Sequence, residues 1–382
     1  MGNNELWVGV SPFLKLGAAG HHFVAHQALY QSFLEDKQNI KYIGAIGNPA
    51  NWFLPVFPTS FKKNDVRNFT KILNSISQDS ANIDREIYFF MYEGNLNAAI
   101  YFSIWLAANS KVTMLVNLHH SQSLLILLKK KYARFFLKII LFGVRRIADG
   151  RLQVSCESEV LSNRFRTLFG PKYSYKTFPI FSVFKRNELP QPMEEIVWII
   201  CRGISRAQME SLLSKIRGRK HKKLVIRWGN SDEIIDLKEE NVFFEVGHIP
   251  TEEYLQKLSN SSRIILWYAK ADIQAHSSGR LMDAILFEKE IWVTVYFPKS
   301  LVQDMDVNLN YFDEQQISEL ILGENKSNVP KSPSYLPTAH ATTNWIRDEL
   351  RSTHDRVSPG NCARLERIFW VLILKIMQKF SS

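Results

Sequence analysis

The stretch that decides the fold begins with Ile264-Ile265-Leu266-Trp267-Tyr268. It continues through His276-Ser277-Ser278-Gly279-Arg280-Leu281-Met282-Asp283-Ala284 and closes with Ile291-Trp292-Val293-Thr294-Val295. The outer runs are continuous and apolar, the pattern of strands buried on both faces of a sheet. Between them lie a polar connection, Ala269 to Ala275, and a segment in which Leu281, Ala284 and Ile285 recur at helical spacing. Ser277-Ser278-Gly279 therefore opens a helix just past the carboxyl end of a parallel strand. Free backbone N–H groups and the positive end of the helix dipole meet there, and that suits a phosphate. Gly279 lets a ligand approach the backbone, and Arg280 places a cation one step inside. The same residues also read as an ordinary serine N-cap.

Outward from this unit the alternation repeats. Leu6–Val10, Ile40–Ile46, Ile87–Tyr92, Val112–Leu118 and Leu152–Cys156 read as strands, with helical segments at His21–Leu34, Asp65–Ile76 and Glu157–Phe169. Pro179 to Pro192 has little periodicity and reads as a linker. Strands then resume at Ile196–Ile200, Leu224–Arg227 and Val242–Val246. Alternation of this kind predicts an α/β protein with mostly parallel sheets. The expected organisation is an N-terminal Rossmann-like domain at 1–180, a linker at 181–195, a second Rossmann-like domain at 196–345, and a C-terminal helical segment at 346–382 packing back on the domains.

The chain has 382 residues, 46% hydrophobic and 22% charged, a composition that excludes long disorder. Cys156, Cys201 and Cys362 are few and far apart, so neither a disulfide framework nor a structural zinc site is expected, and a reducing, cytoplasmic setting fits. The N-terminus shows no signal-peptide pattern and no myristoylation site. Scattered His and Cys predict no metal site. The net charge of +11 calls for an anionic partner. No nucleic-acid-binding module is present, which turns attention from nucleic acid to phosphorylated substrates and membranes.

Lys129, Lys130, Lys131, Arg134, Lys138, Arg145 and Arg146 form a basic run without an acidic residue, and Leu124, Leu128, Phe135, Ile139 and Phe142 share one face of the same helix. Such a helix suits an anionic membrane surface, reached through Lys129, Lys130, Lys131 and Arg134, or is a domain helix with a core face and a solvated basic face. Near the C-terminus, Leu365, Ile368, Phe369, Leu372, Ile373 and Ile376 make an i, i+3, i+4 stripe, widened by Trp370, Leu374 and Met377. Embedded cations exclude a span, leaving a helix packed on the domains or one lying in the membrane plane.

Asn241-Val242-Phe243-Phe244-Glu245-Val246-Gly247-His248-Ile249, Glu252-Glu253-Tyr254-Leu255-Gln256-Lys257-Leu258 and Ser277 to Ala284 together resemble the nucleotide-sugar-binding domain of the GT-B glycosyltransferases. The resemblance covers Ile196 to Val295; over the N-terminal half it is one of pattern only. It implies two Rossmann-like domains in tandem with a closing C-terminal helix, a nucleotide-sugar donor, and no cofactor. Arg202-Gly203 resembles the place where an arginine meets the donor diphosphate, with Arg206 the nearest further cation. His248 would lie near the base, and Gly17 and Gly20 resemble a glycine-rich loop facing the donor phosphates. Asp283 falls at the second acidic position of a motif whose carboxylate holds the donor ribose, while Ala275 stands at the first.

In such a reaction a nucleoside diphosphate leaves, and cations and backbone amides stabilise the developing charge. Arg202, Arg280 and the amides of Ser278 and Gly279 suit that role. An inverting enzyme also needs a base to take the acceptor proton, and Glu93, His119, His21 and His22 stand at carboxyl ends of first-domain strands. The expected function is transfer of a sugar from a nucleotide donor to a glycan or lipid-linked acceptor, as in bacterial surface-polysaccharide assembly. The enzyme is expected to be cytoplasmic and peripheral on the inner face of the cytoplasmic membrane. The alternatives are a nucleotide-sugar epimerase of the same fold and a non-catalytic nucleotide-sugar-binding protein.

Overall fold

A computed structural model describes residues 5–12, 14, 22–46, 50–57, 63–81, 85–109, 111–118, 130–156, 159–169, 178–179, 181–182, 184, 189–228, 237, 239–247, 249–269, 279–297, 307, 309–323, 338–356, 366 and 368–374. The chain forms two compact units, one made of Met1–Pro179 with Thr338–Ser382, the other of Ile180–Pro337.

In the first unit the strands are β1 (Glu5–Val10), β2 (Ile40–Ala45), β3 (Leu54–Phe57), β4 (Glu86–Gly94), β5 (Val112–Leu118) and β6 (Leu152–Cys156). They form one parallel sheet in the order β3-β2-β1-β4-β5-β6. The helices are α1 (His22–Glu35), α2 (Lys63–Ala81), α3 (Leu96–Leu106), α4 (Lys131–Ile147) and α5 (Glu159–Phe169). β5 is buried along its whole length, as its continuous apolar sequence demands of a central strand covered on both faces. Trp7 of β1 pairs in register with Ile40 and Tyr88, and its ring stacks on that of Tyr88 at 4.6 Å. β3 was not legible in the sequence: its four residues include Pro55, and it lies on the sheet edge, where a proline is tolerated.

The second unit repeats the plan. β7 (Ile196–Arg202), β8 (Lys223–Arg227), β9 (Val242–Glu245), β10 (Ser261–Tyr268), β11 (Glu290–Thr294) and β12 (Asn310–Phe312) make a parallel sheet ordered β12-β11-β10-β7-β8-β9. Its helices are α6 (Arg206–Ile216), α7 (Thr251–Asn260), α8 (Gly279–Leu286) and α9 (Ile317–Leu322). α6 starts where Ser205 and Gln208 form a capping box. The unit defined by Ile264–Tyr268 and its successors is in place: β10 pairs with β11 in parallel, Ile264 opposite Ile291, and α8 lies between them in sequence.

The expected boundaries shift. The second unit ends at Pro337 and not at 345, and 338–345 belong to the first unit. There α10 (Ala339–Arg356) packs against α1 and β5. Arg347 pairs with Asp36 at 2.7 Å, Arg351 with Glu5 at 2.7 Å, and Ser32 bonds Thr343 at 2.9 Å. The stretch expected as linker does more than connect. Phe184 enters the second unit's core, and the Pro190 and Gln191 carbonyls accept hydrogen bonds from Ser259 and Gln256.

Candidate functional site

Numbered from its own first strand, each sheet reads 3-2-1-4-5-6, so each has a switch point where the chain reverses direction across the sheet. The crevice beyond the strand ends at such a point is where α/β sheets bind ligands. In the first unit it lies between β1 and β4, in the second between β7 and β10.

At the first switch point β1 delivers Ser11 and β4 delivers Glu93. Ser11 Oγ donates to Glu93 Oε2 at 3.0 Å, and His26 Nε2, from α1, lies 3.1 Å from the same oxygen. The other ring nitrogen of His26 faces the Tyr42 hydroxyl at 3.4 Å. Burial, then the Glu93 charge, then Tyr92 hold the Tyr42 phenol well above its usual range, so it stays protonated. The ring thus bridges the phenol and the Glu93 carboxylate. The ring is gripped edge-on by Tyr42 and Tyr92, with centroids at 5.6 and 5.5 Å. Glu93 is 1% exposed and His26 fully buried, so this is a carboxylate wired into the floor of the crevice. Gly94 follows, and a Cβ there would sit 2.4 Å from a Val116 methyl, so only glycine lets β4 lie this close to β5. Asn95 then caps α3 through Ala98 N.

At the second switch point β7 ends in exposed Arg202, whose carbonyl accepts from Ala269 N at 2.8 Å. Gly203 turns the chain away at φ 67°, a left-handed conformation that suits glycine. Arg206 does not face this crevice as a loose cation: it opens α6 and pairs with Glu210 at 2.8 Å, one turn along. The neighbouring β8 ends in Arg227, a residue that sequence reading passed over. Arg227 Nη2 donates to the Gly247 carbonyl at 2.5 Å, and its Nη1 is buried with no hydrogen-bond partner among the described residues. Burial and then the nearby charge of Arg280, in the first turn of α8, lower the Arg227 pKa, and the Glu245 carboxylate opposes them. Two guanidiniums and the Glu245 carboxylate thus act on one another beside the beginning of α8. An anion bound there would favour the charged guanidiniums.

Asp283 sits one turn further along α8 and points inward. Its carboxylate accepts from Ser182 at 2.7 Å and from Tyr254 at 2.9 Å. Burial pushes its pKa up to about 7, against the two hydrogen bonds and the Arg280 charge, which lower it. Tyr254 is held well above its usual range by burial and by Asp283. This geometry gives Asp283 a tying role between the segment before β7, α7 and α8.

Gly17, Gly20, His21, His119, Lys129, His248, Ser277 and Ser278 lie outside the described residues, as does the side chain of His22. So does Asp304-Met305-Asp306, an Asp-x-Asp that the metal-free expectation overlooked. His26 and Ser11 were missed because a lone histidine inside a helix and a serine after a strand carry no periodic signal. His26 stands four residues after His22, and that spacing was the available hint.

Two parallel six-stranded Rossmann-like units in one chain are the architecture of the GT-B proteins, and this chain has that fold. It is similar to a glycosyltransferase from Rickettsia africae, with 10% identity, a TM-score of 0.57, and 98% of this chain and 97% of that one covered. It is also similar to HepE of Anabaena in complex with UDP and glucose, with 11% identity, TM-score 0.53 and 99% of both chains covered. A third similar structure is the UDP-GlcNAc 2-epimerase of Methanocaldococcus jannaschii, with 8% identity, TM-score 0.51, and 91% of this chain and 99% of that one covered. No family model and no curated protein sequence matches the chain.

Proposed function

We propose that this protein is a glycosyltransferase that moves a sugar from a nucleoside-diphosphate donor to a glycan or lipid-linked acceptor at an anionic membrane surface. The observation that carries the reading is the Arg227–Arg280 pair at the second unit's switch point, with an unpartnered guanidinium nitrogen and exposed Arg202 on the adjacent strand end. A departing diphosphate gathers negative charge, and fixed cations at a helix start stabilise it as it forms. By the resemblance, the backbone of Gly203, Ser277, Ser278 and Gly279 would meet the same phosphates and His248 the base. Asp283 acts by holding α8 in place. In the first unit Glu93 takes the acceptor proton, with Ser11 and His26 fixing its orientation. His119, His21 and His22 are the alternative bases. By the resemblance, Gly17 and Gly20 would face the donor phosphates. The likeness to transferases of the same fold supports this assignment, and HepE was captured with UDP and glucose.

Nucleoside diphosphates, monophosphates and nucleosides screened for thermal stabilisation test the reading, since a ligand of the folded state alone raises the melting temperature. Stabilisation by a diphosphate and not by its nucleoside is expected; none by any nucleotide overturns it. The second reading is an epimerase, favoured by the M. jannaschii structure of the same fold. A donor returned with its sugar configuration changed and still joined to the nucleotide would select it. Nucleotide-sugar hydrolysis without acceptor would select a transferase over a mere binding protein. We further infer a cytoplasmic location, work in surface-polysaccharide assembly, and charge stabilisation by arginines and helix ends without a metal.

A further inference from the structure

Two amphipathic helices of the first unit bury the wrong face. On α4, the core side is Leu137, Ile140, Leu141, Val144 and Ile147, packed toward α3 and the sheet. The more aromatic face, Tyr132, Phe135, Phe136 and Phe142, is exposed. The helical residues 368–374 behave likewise: Trp370 and Leu374 lie against α4 at Gly143, while Ile368, Phe369 and Leu372 of the main apolar stripe face outward. These seven large side chains are between 42% and 63% exposed.

The two helices form one surface. A Cβ on Gly143 would lie 2.8 Å from the Trp370 ring, so this glycine admits the second helix at close range. Phe142 meets Trp370 at 5.1 Å between centroids, Trp370 meets Phe369 at 5.5 Å, and Arg146 pairs with Glu366 at 2.8 Å. Beside the aromatic stripe runs a second stripe, Lys131, Arg134, Lys138 and Arg145, spaced at helical intervals and unbroken by any acid on α4. No helix among the described residues is long and apolar enough to cross a membrane.

We propose that this paired-helix face is an insertion surface for the interface of an anionic bilayer. The aromatic and aliphatic side chains enter the headgroup–acyl boundary, and the cationic stripe meets lipid phosphates at its edge. Exposed apolar patches of this kind mark partners, and the adjoining cations select a negatively charged one. A second copy of this chain fits less well, because a two-fold contact through the same face would bring the cationic stripes together. The inference rests on the membrane part of the reading above and not on its chemistry. It replaces attraction by charge alone with charge plus insertion.

The test uses the full chain and vesicles of phosphatidylcholine, alone or mixed with phosphatidylglycerol, at low and high salt. Wild type should bind the mixed vesicles and keep part of that binding at high salt. Combining Phe135→Ser, Phe369→Ser and Leu372→Ser should weaken partitioning about tenfold or more at either salt concentration. Combining Lys131→Gln, Arg134→Gln and Lys138→Gln should weaken it about fivefold per charge, at low salt only. Phe369→Trp should show emission quenched by brominated lipid beyond that of wild type. All variants should keep the wild-type melting temperature and nucleotide response. Absence of wild-type binding overturns the proposal. So does full binding by the serine variant, a Phe369→Trp signal indifferent to bromolipid, or a wild-type dimer that the serine variant dissociates. Vesicle binding without any nucleotide response would instead sink the enzymatic reading and leave this one standing.

Discussion

The two units share a sheet order and differ in what they place at its switch point. In the first, the crevice floor holds one carboxylate, and Ser11 and His26 are spent on it, with Tyr42 behind the histidine. In the second, Arg227 and Arg280 gather near Glu245, and one guanidinium nitrogen of Arg227 is buried without a partner among the described residues. A buried polar group without a partner is costly, and so are two neighbouring positive charges. The first crevice is thus a closed hydrogen-bonded cluster, while the second gathers two guanidiniums near the Glu245 carboxylate. The same scaffold, used twice, holds a buried carboxylate in one unit and a pair of arginines in the other.

The largest effect that sharpens this contrast is Glu93→Gln, which keeps the shape of the crevice floor and removes its basicity. Turnover should fall by about 10² to 10⁴, with nucleotide affinity nearly intact. His119→Ala is the comparison: a dead His119 variant beside an active Glu93 variant would transfer the base role to the histidine. Arg280→Ala and Arg227→Ala come next. Each should weaken nucleoside-diphosphate binding, read by isothermal titration, by about 1.5–3 kcal/mol while leaving the nucleoside alone almost unaffected. Equal loss for nucleoside and diphosphate would remove the phosphates from this crevice.

A different effect separates the units by pH. Asp283, with a pKa raised to about 7, binds its proton more tightly folded than unfolded. Its contribution to stability is full below the ordinary carboxylate range and is lost as pH rises through that window toward 7. The slope is about 1.4 kcal/mol per pH unit in the second unit's unfolding. Asp283→Asn should flatten it, as followed by denaturant melts between acid and neutral pH. An unchanged slope would assign it to another group. The smallest expected effect is none at all: EDTA should leave transfer activity unaltered if arginines and helix ends do the work of a metal. Activity abolished by EDTA and restored by magnesium or manganese would direct attention to Asp304 and Asp306.

The periodic parts of this molecule were legible. Continuous apolar runs such as Val112–Leu118 and Ile264–Tyr268 can only be strands covered on both sides, and glycines and polar turns between them mark the crossovers. From that alternation alone came two parallel sheets, the strand ends at which Glu93 and Arg202 stand, and the helix start at which Arg280 stands. The short edge elements were not legible, because three or four residues, as in β3 and β12, are too few to show a period.

Tertiary structure decided what no period records. Periodicity states that a helix has an apolar face, but α4 and the helix at 368–374 each have more than one candidate face, and only the shape of the neighbouring surface selects which is buried. Pairings across the chain are of the same kind. His26 meets Glu93, Ser182 meets Asp283 and Arg227 approaches Arg280 because strand order and register bring them together, at sequence separations where local chemistry exerts no influence. Chemistry along the chain determined which residues are available at the strand ends. The closing of the sheets determined which of them find partners within the protein.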